Sequence, residues 1–401
     1  MMTLTRFFQR FGLLLAATAI AFSAAAYDFM VDDIAYDINA DGESVTVTHD
    51  QNYISATGPL VIPGSVTYGG TTYTVTAIGE RAFRYCAGFT SLTIPNTVTT
   101  ISDWAFAYCK GFTGSLSIPH SVVTIGHLAF YGCSGFTGTL TIGESVSTIG
   151  SYAFKDCSGF DKLIYDAVDC GGTSFLENQP FKTLKVNEVV IGDHVKIVPA
   201  YFLNDCGEIT GPLTIGNSVT TIGENAFAGC SGFTGSLIIP QSVTEIGHCA
   251  FTNCSGFESL AVAEGNPRYD SRDNCNAMIE TTTNKMIGGI KNFTIPNTVT
   301  SIGEYAFRDW TALTGPLTIP NSVTSIGTMA FAFCSGFSGS LVIPESVTTI
   351  GYQAFYGCSG LNGSVTIPNS VTSIGERAFA GCLFFAMILT GEGDYHITSG
   401  S

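Results

Sequence analysis

Charge is what this 401-residue sequence lacks most: Asp, Glu, Lys and Arg together make up 12% of it, about half the usual share. The 16 basic residues are scattered against 32 acidic ones, for a net charge of −16. Phosphate neutralisation needs clustered Lys and Arg, so nucleic-acid binding is excluded, and the same negative field works against adhesion to bare anionic lipid. Chemistry-bearing motifs are missing as well. There is no C-x2-C or HExxH metal pattern, no G-x-S-x-G nucleophile elbow and no phosphate-binding glycine loop. The histidines 49, 120, 127, 194, 248 and 396 are spread over the whole length, which gives no base a nucleophile in reach. The reading is therefore of a non-enzyme with no cofactor and no metal. An enzyme would require a pocket with converging His and carboxylate side chains, most readily at an insert near 264–290.

Beyond Ala26 there is no long apolar run, so no membrane span is expected after that point. The segment 1–26 itself reads as a secretory signal. Arg6 and Arg10 precede an apolar stretch from Phe11 to Phe22, and Ser23, Ala24, Ala25 and Ala26 follow. Removal of this segment takes away two arginines and no acid, which deepens the net charge from −16 to −18. An exported chain is expected to be extracellular, at the cell surface or in a periplasm.

What is abundant is glycine, 46 residues, and phenylalanine, 29, and both recur with a period. Ala-Phe dipeptides place Phe83, Phe106, Phe130, Phe154, Phe227, Phe251, Phe307, Phe331, Phe355 and Phe379 mostly at a constant interval, that from Phe106 to Phe130, with a Tyr-Phe version at Phe202. Phe154 and Phe202 are separated by twice that interval, so a worn repeat near 160–200, carrying Phe175 and Phe181, lies between them. From Phe251 to Phe307 the chain runs for two repeats and eight residues more, so an insertion sits near 264–290. There, Met278-Ile279-Glu280 and Lys285-Met286-Ile287 read as a short hairpin.

One unit, starting at Ile343, explains itself residue by residue. Ser340 to Ile343 alternates polar with apolar, a strand with one buried face, and Pro344 ends it. Val347 and Ile350 mark a second short extended segment, and Tyr352 to Gly357 is long enough for one helical turn, with Gly360 as its left-handed cap. No single unit can bury its own apolar side, so the units must stack, and every sequence column becomes a ladder. The expected fold is a repeat solenoid of leucine-rich-repeat type, with short parallel strands in each coil and one short helical turn. About thirteen coils at ~4.8 Å would give a rod on the order of 60 Å long. Phe89, Phe112, Phe136, Phe160, Phe233, Phe257 and Phe337 form a second aromatic column. Thirteen cysteines would ordinarily signal disulfides in an exported chain. Ten of them, however, sit three residues after the spine Phe, as Cys86 and Cys109 do, and share a column whose side chains point the same way. They read as buried free thiols; Cys170, Cys249 and Cys275 fall outside the column.

The unit L-T-I-P-N-S-V-T-S-I-G-x-x-A-F-x-G-C-S-G, clearest at 317–336 and 365–382, resembles the BspA-type leucine-rich repeat, and the resemblance runs over about residues 58 to 382. It implies a strand-lined solenoid at a cell surface or secreted, with roles in adhesion to host matrix proteins or other cells. The organisation expected is a signal peptide at 1–26, an N-terminal β-hairpin cap at 27–57 turning at Asp41-Gly42, the solenoid at 58–382, and a C-terminal tail or cap at 383–401. The candidate ligand-binding face is the outward side of the strands, where Ser115, Ser117, Thr139, Thr141, Thr214, Thr318, Ser340, Ser364 and Thr366 offer hydroxyls to an extracellular protein or glycan. The competing reading is a structural surface spacer in which those hydroxyls only keep a half-exposed strand soluble.

Overall fold

The computed structural model describes residues 27–390 apart from 169, 171–174 and 385. The secretory signal read at 1–26 and the end of the tail, 391–401, lie outside the described residues. The chain winds as a solenoid with two sheets, and successive coils pair in parallel register, in keeping with the stacking argument. Within the leucine sheet, Leu116–Ser117, Thr139–Ile142, Lys162–Tyr165, Val189–Ile191 and Leu213–Ile215 lie side by side, with Leu140 opposite both Leu116 and Leu163. The threonine sheet is built from the second extended segment: Thr100–Ile101, Thr124–Ile125 and Thr148–Ile149 follow one another, one from each coil. Along its edge threonine hydroxyls donate to the carbonyl one coil back, as from Thr324 to Thr300 (3.0 Å) and from Thr348 to Thr324 (3.2 Å).

Between the sheets runs the aromatic spine. Phe106, Phe130 and Phe154 are fully buried, with ring centroids 5.1 and 5.3 Å apart and nearly parallel planes. In the worn repeat Phe181 takes the spine position, 5.6 Å from both Phe154 and Phe202, and Phe175 packs beside it. The second column stacks likewise, Phe112 on Phe136 and Phe136 on Phe160.

The Ala-Phe segment departs from the single helical turn that its length suggests. Within Tyr352 to Cys358 the amides of Ala354, Tyr356 and Cys358 each donate to the carbonyl three residues back, while those of Gln353, Phe355 and Gly357 donate to Glu376, Ala378 and Ala380 of the following coil. A helical turn would aim all its amides along its own axis and leave none for the neighbour. Linked turns satisfy both sets, and they require a left-handed residue at every fourth position, here Gln353 (φ 52°) and Gly357 (φ 70°). Gly360 is therefore not the left-handed cap; that conformation belongs to Gly357. Gly360 is glycine because coils touch there: a Cβ would lie 2.1 Å from the Phe337 carbonyl oxygen and 2.3 Å from that of Ser335. Gly360→Ala is accordingly expected to lower unfolding free energy by about 1–3 kcal/mol through forced separation of the coils. Urea titration followed by circular dichroism checks this; an unchanged midpoint would mean that the coils are not in contact at Gly360.

The cysteine column is buried and its thiols are free. It is also more specific than a row of small apolar groups. Along most of it the thiol donates to the spine Phe carbonyl of the preceding coil, Cys109 to Phe83 (2.9 Å), Cys133 to Phe106 (3.0 Å) and Cys358 to Phe331 (3.0 Å). Cys170 bonds the Val146 carbonyl and Cys249 that of Tyr305, so neither is bridged.

At the N-terminal end Ile34–Ile38 and Ser44–Val47 form an antiparallel pair around Asp41-Gly42, and Ser44–Val47 continues in parallel onto Thr71–Ile78, which covers the open edge of the threonine sheet. At the other end Ala386–Leu389 adds a parallel strand to Ser364–Ile367. The region near 264–290 holds an antiparallel hairpin, Ala277–Glu280 with Lys285–Gly289. It acts as a wedge. On the turn side the flanking coils still touch, with Asn253 bonded to the Asp309 carbonyl and to the Thr311 amide. On the threonine-sheet side Glu245–Ile246 ends one sheet, and Lys285–Gly289 pairs instead with Ser301–Ile302 of the next.

Candidate binding surfaces

Stacking gathers eight of the nine sequence-derived face residues onto the outer side of the leucine sheet, since their neighbours Leu116, Leu140, Leu213, Leu341 and Val365 point inward and are buried, while Thr318 lies in a stretch that forms no strand. They are not equivalent. Ser115, Ser117, Thr214, Thr318 and Ser340 are exposed, whereas Thr139, Thr141, Ser364 and Thr366 are half-buried by the coils on either side. Three of the hydroxyls already serve the scaffold: Ser115 Oγ accepts the Thr139 amide (3.0 Å), Ser340 Oγ accepts that of Ser364 (3.1 Å), and Ser364 Oγ donates to Ser340 Oγ (3.3 Å). The row of Ser117, Thr141 and Thr214 is the freer one.

That row is less hydroxylated than the nine positions suggest. Between Thr141 and Thr214 it carries Ile164 and Val190, half-buried, and further along Ile238 and Val342, exposed at 55% and 59%. An ion pair, Lys162 Nζ to Glu188 Oε1 (2.8 Å), crosses the adjacent row. The face is thus an amphipathic strip of threonines and β-branched aliphatics. The signal was present in the alignment of the repeats, where Ile164, Ile238 and Val342 share the column of Thr141.

The hairpin wedge opens a cleft of about 400 Å³ whose walls include His248, Arg268, Glu280, Lys285 and Glu304. Glu280, nearly buried, is held by Arg268 (Nη2 to Oε1, 3.3 Å) and Lys285 (Nζ to Oε2, 3.5 Å). The Thr283 hydroxyl, with the two cations behind it, keeps this carboxyl below the ordinary glutamate range although burial opposes the shift. A histidine and carboxylates do converge here, the arrangement named above as the one an enzyme would need. The chemistry is not that of an activated nucleophile: both Glu280 oxygens are committed, and the His248 ring packs on Tyr305 at 4.9 Å. Among the described residues no hydrogen bond joins that ring to a serine, threonine or cysteine.

A third surface escaped the sequence reading. Four of the left-handed turn residues in the first coils are aromatic, Tyr85, which is exposed, and Trp104, Tyr108 and Tyr152, which are half-buried. Tyr85 and Tyr108 stack at 4.9 Å, Tyr131 meets Tyr108 edge-on at 5.0 Å, and Arg84 covers Trp104 at 4.4 Å. The column of Tyr85 and Tyr108 is marked by left-handed glycines in other coils, Gly132, Gly229, Gly357 and Gly381, but no glycine marks the column of Trp104 and Tyr152. On the same edge Asp103 Oδ1 accepts the His127 amide of the next coil (2.7 Å). Among the described residues there is no cluster of His, Cys, Asp and Glu fit to hold a metal ion, and no helix long and apolar enough to cross a membrane.

The family model for the BspA type leucine rich repeat region matches residues 76–210, 196–273 and 278–390, in six copies. A leucine rich cell surface protein from Faecalibacterium prausnitzii A2-165 is 28% identical over 92% of this chain and 96% of its own, with a TM-score of 0.53. A leucine-rich repeat protein from Bacteroides ovatus ATCC 8483 is 24% identical over 89% of this chain and 93% of its own, TM-score 0.52. The pneumococcal vaccine antigen PcpA, at 20% identity over 90% of this chain and 81% of its own, shares the fold, TM-score 0.51. No curated protein matches the sequence.

Proposed function

Because the chain belongs to the BspA-type leucine-rich repeat family, we propose that it is an exported, surface-displayed scaffold that binds a ligand, acting as an adhesin toward host matrix proteins, other cells or glycans. The observation that carries this reading is the outward strip of the leucine sheet. It runs unbroken across five strands, where it mixes hydroxyls with the half-buried Ile164 and Val190, and the same column exposes Ile238 and Val342 in later coils, where a purely solubilising surface would be polar and charged. The 28%-identical cell surface protein and the signal-like residues 1–26 support the location. The cleft beside the hairpin, with its committed ion pairs, supports binding in preference to catalysis.

Changing Thr139, Thr141 and Thr214 together to lysine puts three charges on the strip without touching the core. The triple variant is expected to lose binding to immobilised matrix proteins or a glycan array by at least about tenfold, while its melting temperature moves little, because surface substitutions stay within ~0.5 kcal/mol each. No saturable ligand for either would favour the spacer, and a ligand bound equally by variant and parent would place binding on another surface.

A further inference from the structure

The leucine sheet is interrupted, and the interruption has the form of a missing strand. Between Ser259–Val262 and Leu341–Val342 the coils pass through residues 291–295 and 316–319, and neither stretch forms a strand. The sheet contact there is a single bridge, Gly315 to Phe337. A cleft of about 380 Å³ separates the two stretches, lined by Phe293, Ile295, Leu313, Leu317 and Thr318 among others. The cause is local. Phe293 stands where other coils have leucine, and its ring is drawn onto Phe307 at 4.0 Å, while the Thr294 amide donates to the Cys275 carbonyl of the insert (2.9 Å).

Strand parity says which groups look into the opening. In paired coils the amides of Leu163 and Ile118 donate forward, to Glu188 and Thr141, so the leucine and isoleucine positions face the following coil and the residues between them face the preceding one. Thr294 obeys, donating back. Phe293 and Ile295 therefore present their backbone groups from one wall and Thr318 from the other. Among the described residues, the amides of Phe293, Ile295 and Thr318 have no hydrogen-bond acceptor. We propose that this gap is a strand-addition site that takes an extended segment of a partner polypeptide as the absent rung of the sheet. Backbone donors and acceptors on both walls, recurring every second residue, match another peptide backbone and not a sugar ring. The opening holds roughly two to three residues of one added strand. Alternate side chains of the segment would lie against Leu313 and Leu317, so the class is an alternating apolar sequence. Lys291 is the one charged side chain lining the opening among the described residues, so the segment is uncharged or acidic.

The inference rests on the ligand-binding reading above for there being a partner, but its test does not need that partner. The probe is a fluorescein-labelled peptide with the chain's own residues 137–143, Thr-Gly-Thr-Leu-Thr-Ile-Gly, titrated by anisotropy into the full chain lacking residues 1–26. Saturable binding is expected, with hydrogen-exchange protection at 291–295 and 316–319. N-methylation of alternate peptide amides, and Thr318→Pro in the protein, should each weaken binding at least tenfold. No saturable binding, equal binding by the N-methylated peptide, or protection only at the Ala386–Leu389 edge would overturn the proposal. If Thr318→Pro disturbs the fold, the N-methylated peptide decides alone. Because the lysine variants of Thr139, Thr141 and Thr214 leave the gap intact, loss of their ligand and loss of peptide binding report on different surfaces.

Discussion

Phe130→Ala is expected to destabilise the chain by about 3–5 kcal/mol, the range for removing a buried aromatic ring from a close-packed interior. Phe130 is inaccessible to solvent and sandwiched between Phe106 and Phe154, so its loss leaves a void that two facing rings cannot fill without leaving their own coils. Each stacked contact adds roughly 0.5–1.5 kcal/mol beyond the area buried. The same change at Phe379 is expected to matter about half as much. That ring is only partly buried, with Phe355 at 5.4 Å on one side and Phe384 edge-on at 6.1 Å on the other. Urea unfolding of the two variants makes the comparison. Equal losses at the middle and the end would show that the spine is not a stack whose interior rungs each have two neighbours.

Alkali is expected to unfold the protein well before the backbone itself is at risk. Burial pushes the thiols of Cys157 and Cys206 up from 9.0 to about 12, and those of Cys133 and Cys230 are raised as well, burial again being the chief cause. The folded state holds these groups neutral, so their contribution is complete below the unfolded value near pH 9. It is lost as pH rises toward the folded value, because the unfolded chain can release protons that the folded chain retains. Each thiol forfeits about 1.4 kcal/mol per pH unit in that window, so Cys157 and Cys206 alone remove ~4 kcal/mol at pH 10.5. Circular dichroism should show a steep transition between about pH 9 and 11. A disulfide-exchange reagent at pH 8 should label these cysteines only after denaturant is added. Rapid labelling of all thiols in the folded protein at neutral pH would contradict the burial of the column.

The aromatic and thiol columns were legible because a strict spacing forces identical letters onto one line, whatever the backbone does between them. Ala-Phe recurring at one constant interval fixes the stacking of Phe106 on Phe130 without any knowledge of the turn. The turn itself was not legible. Tyr352 to Gly357 has the length and composition of a helical turn, and the choice against it comes from amides that must reach the next coil, a requirement that only stacking creates. For the same reason Trp104 could not be assigned to the exterior: it adopts a left-handed φ of 59° in a column that holds no glycine. Alternation identified the outward residues of the leucine sheet, but the hydroxyl pattern overshadowed Ile238 and Val342, which share that face. The gap beside Phe293 was hidden because its I-P-N-T and I-P-N-S motifs keep the normal period while the insert pulls one of them out of register with its neighbour.

The hairpin that keeps neighbouring coils in touch at Asn253 and parts them at Ile246 and Ile302 also works as a ruler. Nine rungs, from Gly58–Val61 to Ser259–Val262, precede it on the leucine side, which at ~4.8 Å each gives a track of about 40 Å. A stiff rod-like molecule longer than that would have to overhang the insert.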